Sequence, residues 1–286
     1  MIEPVQKDQA FLDDVAARCG DHSHIHLWWL GQSGFLLQWQ GHHLLFDPYL
    51  SDTLTSKYAL TDKPHVRMTE RVVVPESLDF IQVVTSSHNH TDHLDPETLK
   101  ALLAVNPQLD LVIPEANREF VSNQLNAVLE LPVGLNTGES VRLPPFTIHA
   151  VPAAHETIDT DEAGRHLFLG YVVEAGPWTI YHSGDTIRYP EMIERLRAWQ
   201  IDVALLPING SLPKRRVAGN LWGHEAAQLA HDIGARCVVP CHYEMFEFNT
   251  ATPDEFVATC HTLHQPFRVL RAGEGWSSAE LEPRHE

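Results

Sequence analysis

Apolar positions along the chain fall into two kinds of run, and the kinds follow one another in a repeated order. From His26 to Pro48 they come as three short bursts: Leu27-Trp28-Trp29-Leu30, then Gly34 to Trp39, then His43 to Phe46. Gly31-Gln32-Ser33-Gly34 and Gln40-Gly41 separate them as hairpin signals, so the pattern predicts a three-stranded meander. After residue 95 the period lengthens. Leu99, Leu102, Leu103 and Val105 recur at helical spacing behind the helix-start combination Asp95-Pro96-Glu97, and Asn106-Pro107 stops them. A strand from Leu109 to Ile113, a helix from Glu115 to Val128 and a short strand near Val133 follow.

The plan then repeats. A second meander starts near Glu139, with strands from Phe146 into a loop carrying His155, from Leu167 to Glu174, and from Trp178 to Tyr181. Next come a helix from Tyr189 to Trp199, a buried strand from Ile201 to Pro207, and a helix starting near Gly223. A strand from Cys237 ending at His242, a helix from Pro253 and a last strand from Phe267 to Leu270 close the chain. No Gly-, Ser- or Pro-rich linker divides the two halves. One α/β domain over residues 1–286, with two pseudo-symmetric sheets, is the expectation.

Two segments stand outside the repeat. Residues 1–20 read as a short amphipathic helix through Phe11, Leu12, Val15 and Ala16, and the alternate histidines His22, His24 and His26 as the polar face of an edge strand. Residues 49–77 carry little periodicity and two prolines, and read as a long loop ahead of the next strand. Tyr58 and His65 on that loop are candidates for substrate contact.

The chemistry concentrates after Ile81-Gln82-Val83-Val84. His88-Asn89-His90-Thr91-Asp92-His93-Leu94-Asp95 places three histidines and two carboxylates in eight residues. Imidazole and carboxylate together suit zinc, manganese or iron. Further on, His155, Asp185 and His242 each follow a predicted strand, and strand ends converging on one sheet edge are where sites are commonly built. Asp47 ends its strand at a proline and could support a ligand histidine.

The pattern His-x-His-x-Asp-His over 88–93 resembles the signature of the metallo-β-lactamase superfamily, which has these ligand types in this order. The resemblance implies a four-layer αββα sandwich. It also implies that His88, His90 and His155 hold one metal, that Asp92, His93 and His242 hold a second, and that Asp185 bridges the two. Two divalent cations follow, zinc first and manganese as the alternative. The runs WWLGQSGFLL, TIYHSGDT, IDVALLPING and VVPCHYEMF are similar to the ascorbate-phosphate lactonase-like branch and, more weakly, to the N-acyl-phosphatidylethanolamine-hydrolysing phospholipase D type. The implied activity is a metal-dependent hydrolase, lactonase-like, in which a metal-bound hydroxide attacks a lactone or related ester of a small, phosphorylated or otherwise anionic metabolite. A phosphodiesterase and a non-catalytic metal-containing binding protein are the alternatives.

Composition narrows the partners. A formal net charge of −18 argues against attraction to nucleic acid or an anionic membrane. No apolar run reaches the roughly 20 residues of a membrane span, and no secretory signal is visible at Met1-Ile2-Glu3-Pro4, so a cytoplasmic chain is expected. The four cysteines form no disulfide framework, and Cys237 and Cys241 read as buried thiols. A small-molecule substrate is the expected partner, with a homo-oligomer possible from the resemblance. Lys214, Arg215 and Arg216 form a local cationic stretch that could bind a phosphate or carboxylate. Asp92 and His224 are the candidates for proton transfer, His224 as a general acid at a helix start. Gly210-Ser211 could offer backbone donors to an oxyanion.

Overall fold

The computed structural model describes residues 1–282; residues 283–286 of the expected domain lie outside the described residues. The first meander forms as β1 (His26–Gly31), β2 (Gly34–Trp39) and β3 (His42–Phe46), paired antiparallel with Leu27 opposite Leu37 and Leu36 opposite Leu45. Both faces of β1 and β2 are buried, which is why they read as nearly continuous apolar runs rather than as alternation. β4 (Val83–Thr85), β5 (Asp110–Pro114) and β6 (Pro132–Leu135) extend this sheet in parallel beyond β3.

The second sheet repeats the arrangement. β7 (Ser140–Leu143), β8 (Phe146–Pro152), β9 (Leu169–Ala175) and β10 (Trp178–His182) run antiparallel, and β11 (Val203–Pro207) and β12 (Cys237–Cys241) add in parallel. Helices flank the two mixed sheets. The longer ones are α1 (Asp8–Arg18), α3 (Pro96–Val105), α4 (Arg118–Leu125), α6 (Gly223–Asp232) and α7 (Asp254–Leu263); α2 (Thr53–Tyr58) and α5 (Met192–Arg197) are short. α6 packs on β11, β12 and α7, and α4 on β6 and α3. The four-layer αββα expectation is met.

The sheets touch through apolar and aromatic side chains of one buried core, where Phe46 of β3 stacks on His182 of β10 at 5.0 Å between ring centres. Polar bonds stitch the same seam. Tyr171 Oη donates to Ser86 O at 2.9 Å, Leu169 N to Ser87 O at 3.0 Å, and His242 N to Gln32 O at 2.8 Å. Cys237 and Cys241 are buried thiols, as expected.

Three expectations need correction. The predicted last strand is reduced to one bridge, Phe267 with Val238. The actual last strand is β13 (Gly275–Ser277), three residues long and too brief to show a period. It pairs with β1, so β1 is internal and His24 and His26 do not sit on an edge. Their rings instead share one carboxylate, each 3.1 Å from Asp21 Oδ2. Residues 49–77 are not a free loop either. Met68 N donates to Met245 O at 2.8 Å and Glu247 N to Val66 O at 3.0 Å. Tyr49, Leu54, Met245 and Phe246 form a small second core beneath them.

Candidate metal centre

The histidine-rich loop leaves β4 at the edge where both sheets end. Ser86 N bonds to Val112 O at 2.9 Å and Ser87 O accepts from Leu169, so the loop is held by strands of both halves before His88 is reached. A tight turn, with His93 N and Leu94 N both donating to His90 O at 3.0 and 2.8 Å, folds His93 back toward His88. β8, β10 and β12 deliver His155, Asp185 and His242 from the other half. Gly184, beside Asp185, has φ +58°, and a Cβ there would stand 2.5 Å from Ser87 Cβ. Only glycine lets the two halves meet this closely.

The loop and strand ends bring seven donor residues together in overlapping groups. His88, His90 and His155 form one group; Asp92, His93 and His242 form another; His88, His93 and Asp185 join them, with the donor atoms of each group within 4.8 Å of one another. Asp185 spans the middle. Its Oδ1 lies 3.3 Å from His93 Nε2, and its Oδ2 lies 3.3 Å from His242 Nε2 and 3.5 Å from His155 Nε2. Asp92 Oδ2 is 3.7 Å from His93 Nε2 and 3.6 Å from His242 Nε2.

The far sides of three rings are already held, while His242 Nδ1 is buried without a partner. His93 Nδ1 donates to Asp47 Oδ2 at 2.7 Å, and His155 Nδ1 to Gly219 O at 3.0 Å. His88 Nδ1 meets Ser87 Oγ at 3.0 Å, and that hydroxyl donates to Asp47 as well. His88, His93 and His155 therefore turn Nε2 inward, the orientation that metal-binding histidines are usually given by such partners. Asp47 has the supporting place expected of it.

Inside the cluster, His88 Nε2, His93 Nε2 and Asp185 Oδ1 are buried and make no hydrogen bond. Leaving three such atoms unpaired is costly, and a cation placed among them satisfies all three at once. The donor set thus fits a metal centre. The charges agree. Burial opposes ionisation of Asp185, yet His242 and His93 outweigh it and hold the carboxyl well below the usual range. Burial likewise disfavours a proton on His242, but Asp185 and Asp92 raise it to about 9, and they raise His93 well above its ordinary value. His88 goes the other way: burial, then His93 and His90, push it well below. The carboxylates call for positive charge beside them, and the buried rings cannot all supply it as protons.

A family model described as beta-lactamase superfamily domain matches residues 42–243. The chain belongs to the metallo-β-lactamase superfamily. A curated relative from Caldivirga maquilingensis, named UPF0173 metal-dependent hydrolase, is 29% identical over 255 residues, covering 87% of this chain and 96% of the relative. Among solved structures, the chain is similar to Igni18, a metallo hydrolase from Ignicoccus hospitalis, with TM-score 0.65, 22% identity and coverage of 89% and 98% of the two chains. It is also similar to an isothiocyanate hydrolase from Delia radicum gut bacteria, with TM-score 0.69, 18% identity and coverage of 88% and 98%. At these identities the structural likeness speaks for the fold.

In this metallo-β-lactamase superfamily chain His90, Asp92, His155, Asp185 and His242 of the donor cluster line a cavity of about 470 Å³. Tyr58 and His65, on the pinned 49–77 segment, do line it, with their rings stacked 4.1 Å apart. The cationic stretch divides. Arg216 lines the cavity and pairs at its rim with Asp62, Nη2 to Oδ2 at 2.5 Å, while Lys57 adds a second positive charge. Arg215 is corrected to a structural role: its guanidinium is buried against Asn209 O, Thr250 O and Asn249 Oδ1. Lys214 is not among the lining residues, and its carbonyl accepts from Lys63. His224 is corrected too. Its ring is half exposed, its Nδ1 lies 3.0 Å from Glu255 Oε1, and it does not line the cavity. Gly210 N is taken by Leu221 O, so it is no oxyanion donor.

One site residue escaped the sequence reading. Gln32, in the turn after β1, is buried with Nε2 at 2.7 Å from Asp92 Oδ2 and 3.0 Å from His242 Nε2. The available signal was a polar side chain at a strand end, masked because Gly-Gln-Ser-Gly already made sense as a turn.

Proposed function

We propose that this chain is a metal-dependent hydrolase that opens a lactone or related ester of a small anionic metabolite. The observation that carries the reading is the cluster of buried, unpaired donor atoms of His88, His93 and Asp185, of which Asp185 lines an open cavity. His88, His90 and His155 would hold one divalent cation and Asp92, His93 and His242 a second, with Asp185 between them; zinc is the first choice and manganese the alternative. When bound, the cations supply a water acidic enough to attack at neutral pH and polarise the scissile carbonyl. The names of the curated relatives support a hydrolase of this kind.

The chain's own residues do the rest. Asp92, which lines the cavity, takes the proton of the attacking water and passes it toward the departing oxygen. Arg216 releases Asp62 and, with Lys57, engages the anionic group of the substrate. Tyr58 and His65 make a flat wall that orients the ring to be opened.

Metal-loaded protein should open phosphorylated sugar lactones, and chelator-treated protein should not. A panel of free and phosphorylated lactones tests this directly. If none is hydrolysed while bis-p-nitrophenyl phosphate is, the ester reading gives way to a phosphodiesterase. If a metal-replete sample turns over nothing in either set, the protein is a binding protein and the hydrolase reading fails.

A further inference from the structure

We propose that Gln32 is itself a metal ligand, completing the group formed by Asp92, His93 and His242 through its side-chain oxygen. The inference rests on the reading of this cluster as a two-metal centre. Its starting point is where the carboxamide sits. The Gln32 backbone, at φ 51°, is held by two donors to its carbonyl, His242 N at 2.8 Å and Trp29 Nε1 at 3.0 Å. That carbonyl ties Gln32 to His242, and the side chain is buried among the donors rather than beside them.

Spacing supports the assignment. Ligands about 2.1 Å from one cation stand about 3.0 Å apart at a right angle and about 3.4 Å apart at a tetrahedral angle. The terminal atom of Gln32 is 2.7 Å from Asp92 Oδ2 and 3.0 Å from His242 Nε2, near the right-angle value. Asp185 stands 3.3 Å from both His93 and His242, and Asp92 3.6–3.7 Å from the same rings. The distances from His242 to Gln32 and from Asp185 to His93 and His242 fall between those two values.

The atom placed there is Nε2, while Gln32 Oε1 is buried with no partner. An amide N–H₂ can serve His242 only while its Nε2 lone pair is free, and a cation on that lone pair repels the N–H₂ dipole. Turning the carboxamide by half a rotation exchanges nitrogen for oxygen with almost no change in shape. It gives the cation a further donor. The group then offers two imidazoles and the oxygens of Asp92, Asp185 and Gln32. That is more than a tetrahedral ion accepts, and suits a six-coordinate ion of the manganese or iron type with one position open to the cavity.

The test uses the full chain, stripped of metal and titrated with Mn(II) and Co(II) by calorimetry, with bound metal counted after gel filtration. Wild type, Gln32→Glu and Gln32→Met are compared, circular dichroism confirming that each is folded. Wild type should take up two equivalents and show the weak visible Co(II) bands of a six-coordinate site in the second. Gln32→Met, of similar length but without the oxygen, should keep the first equivalent unchanged and bind the second at least about 30-fold more weakly. Gln32→Glu should keep both, and if Gln32→Met does not fold, a second equivalent weakened about tenfold or more in Gln32→Glu overturns the proposal. A Gln32→Met protein that binds both equivalents as wild type does also overturns it. Uptake of one equivalent by wild type overturns it while leaving a one-metal hydrolase standing. Uptake of none removes the proposed function as well.

Discussion

The two halves of the molecule share a plan but feed the centre in opposite ways. The first half contributes His88, His90, Asp92 and His93 from six consecutive residues, backed by Asp47 and Gln32 from neighbouring turns. The second contributes one residue from each of three strand ends, His155, Asp185 and His242, and supports His155 with a backbone carbonyl. The first half's donors are arranged by one tight turn and a buried carboxylate. The second half's donors reach the site only when β8, β10 and β12 end at the same edge. Local chain geometry builds one side of the centre and sheet packing the other.

The sharpest way to break the comparison is at the residue that joins the halves. Asp185→Ala should reduce hydrolysis to background and lower bound metal by at least one equivalent. Retention of more than about a tenth of wild-type kcat/KM would remove Asp185 from the centre. A histidine of the first half that lies outside the site gives the contrast in stability. Burial pushes His43 down to about 4 from its ordinary value. The unfolded chain therefore takes up this proton first as pH falls. His43 has no effect on stability above about pH 6.5, and costs an amount that grows to about 3 kcal/mol as pH falls toward 4. Urea unfolding of His43→Phe against wild type, at about pH 7 and about pH 4.5, should show the flatter dependence in the variant.

Support on the first half's side rests on a side chain that can be changed. Asp47→Asn should weaken metal binding or activity roughly 10–100-fold, and the loss should fall on the equivalent held by His93. An equal loss from both equivalents would mean that Asp47 supports His88 through Ser87 as much as it supports His93 directly. The smallest effect is expected at the rim. Arg216→Ala should raise KM for an anionic substrate roughly tenfold and leave an uncharged ester unaffected. Lys214→Ala and His224→Ala should match wild type in the same assay.

This asymmetry also governed what could be read from the sequence. The meanders, the parallel strands and the loop over residues 88–93 were legible because their signals are local: period, turn residues and ligand density. His155, Asp185 and His242 were legible only through their order behind successive strands. Arg215 and His224 misled for a common reason. Residue type and chain neighbourhood give charge and reactivity, but not direction, and both side chains found partners elsewhere, Arg215 in backbone carbonyls and His224 in Glu255. β13 was too short to carry a period. Gln32 was hidden by a motif that already had a structural explanation.

The polar stitches along the seam carry a consequence of a mechanical kind. Ser86 and Ser87 are fastened to β9 through Tyr171 and Leu169, and the donor residues begin at the next position. The centre thus behaves as a rivet driven through both sheets, and pulling the sheets apart must first tear its donors from one another. A cation bound there grips the folded form alone, so every tenfold rise in free metal above its dissociation constant adds about 1.4 kcal/mol against unfolding. A chelator, acting on a few atoms at one edge, then loosens the whole sandwich.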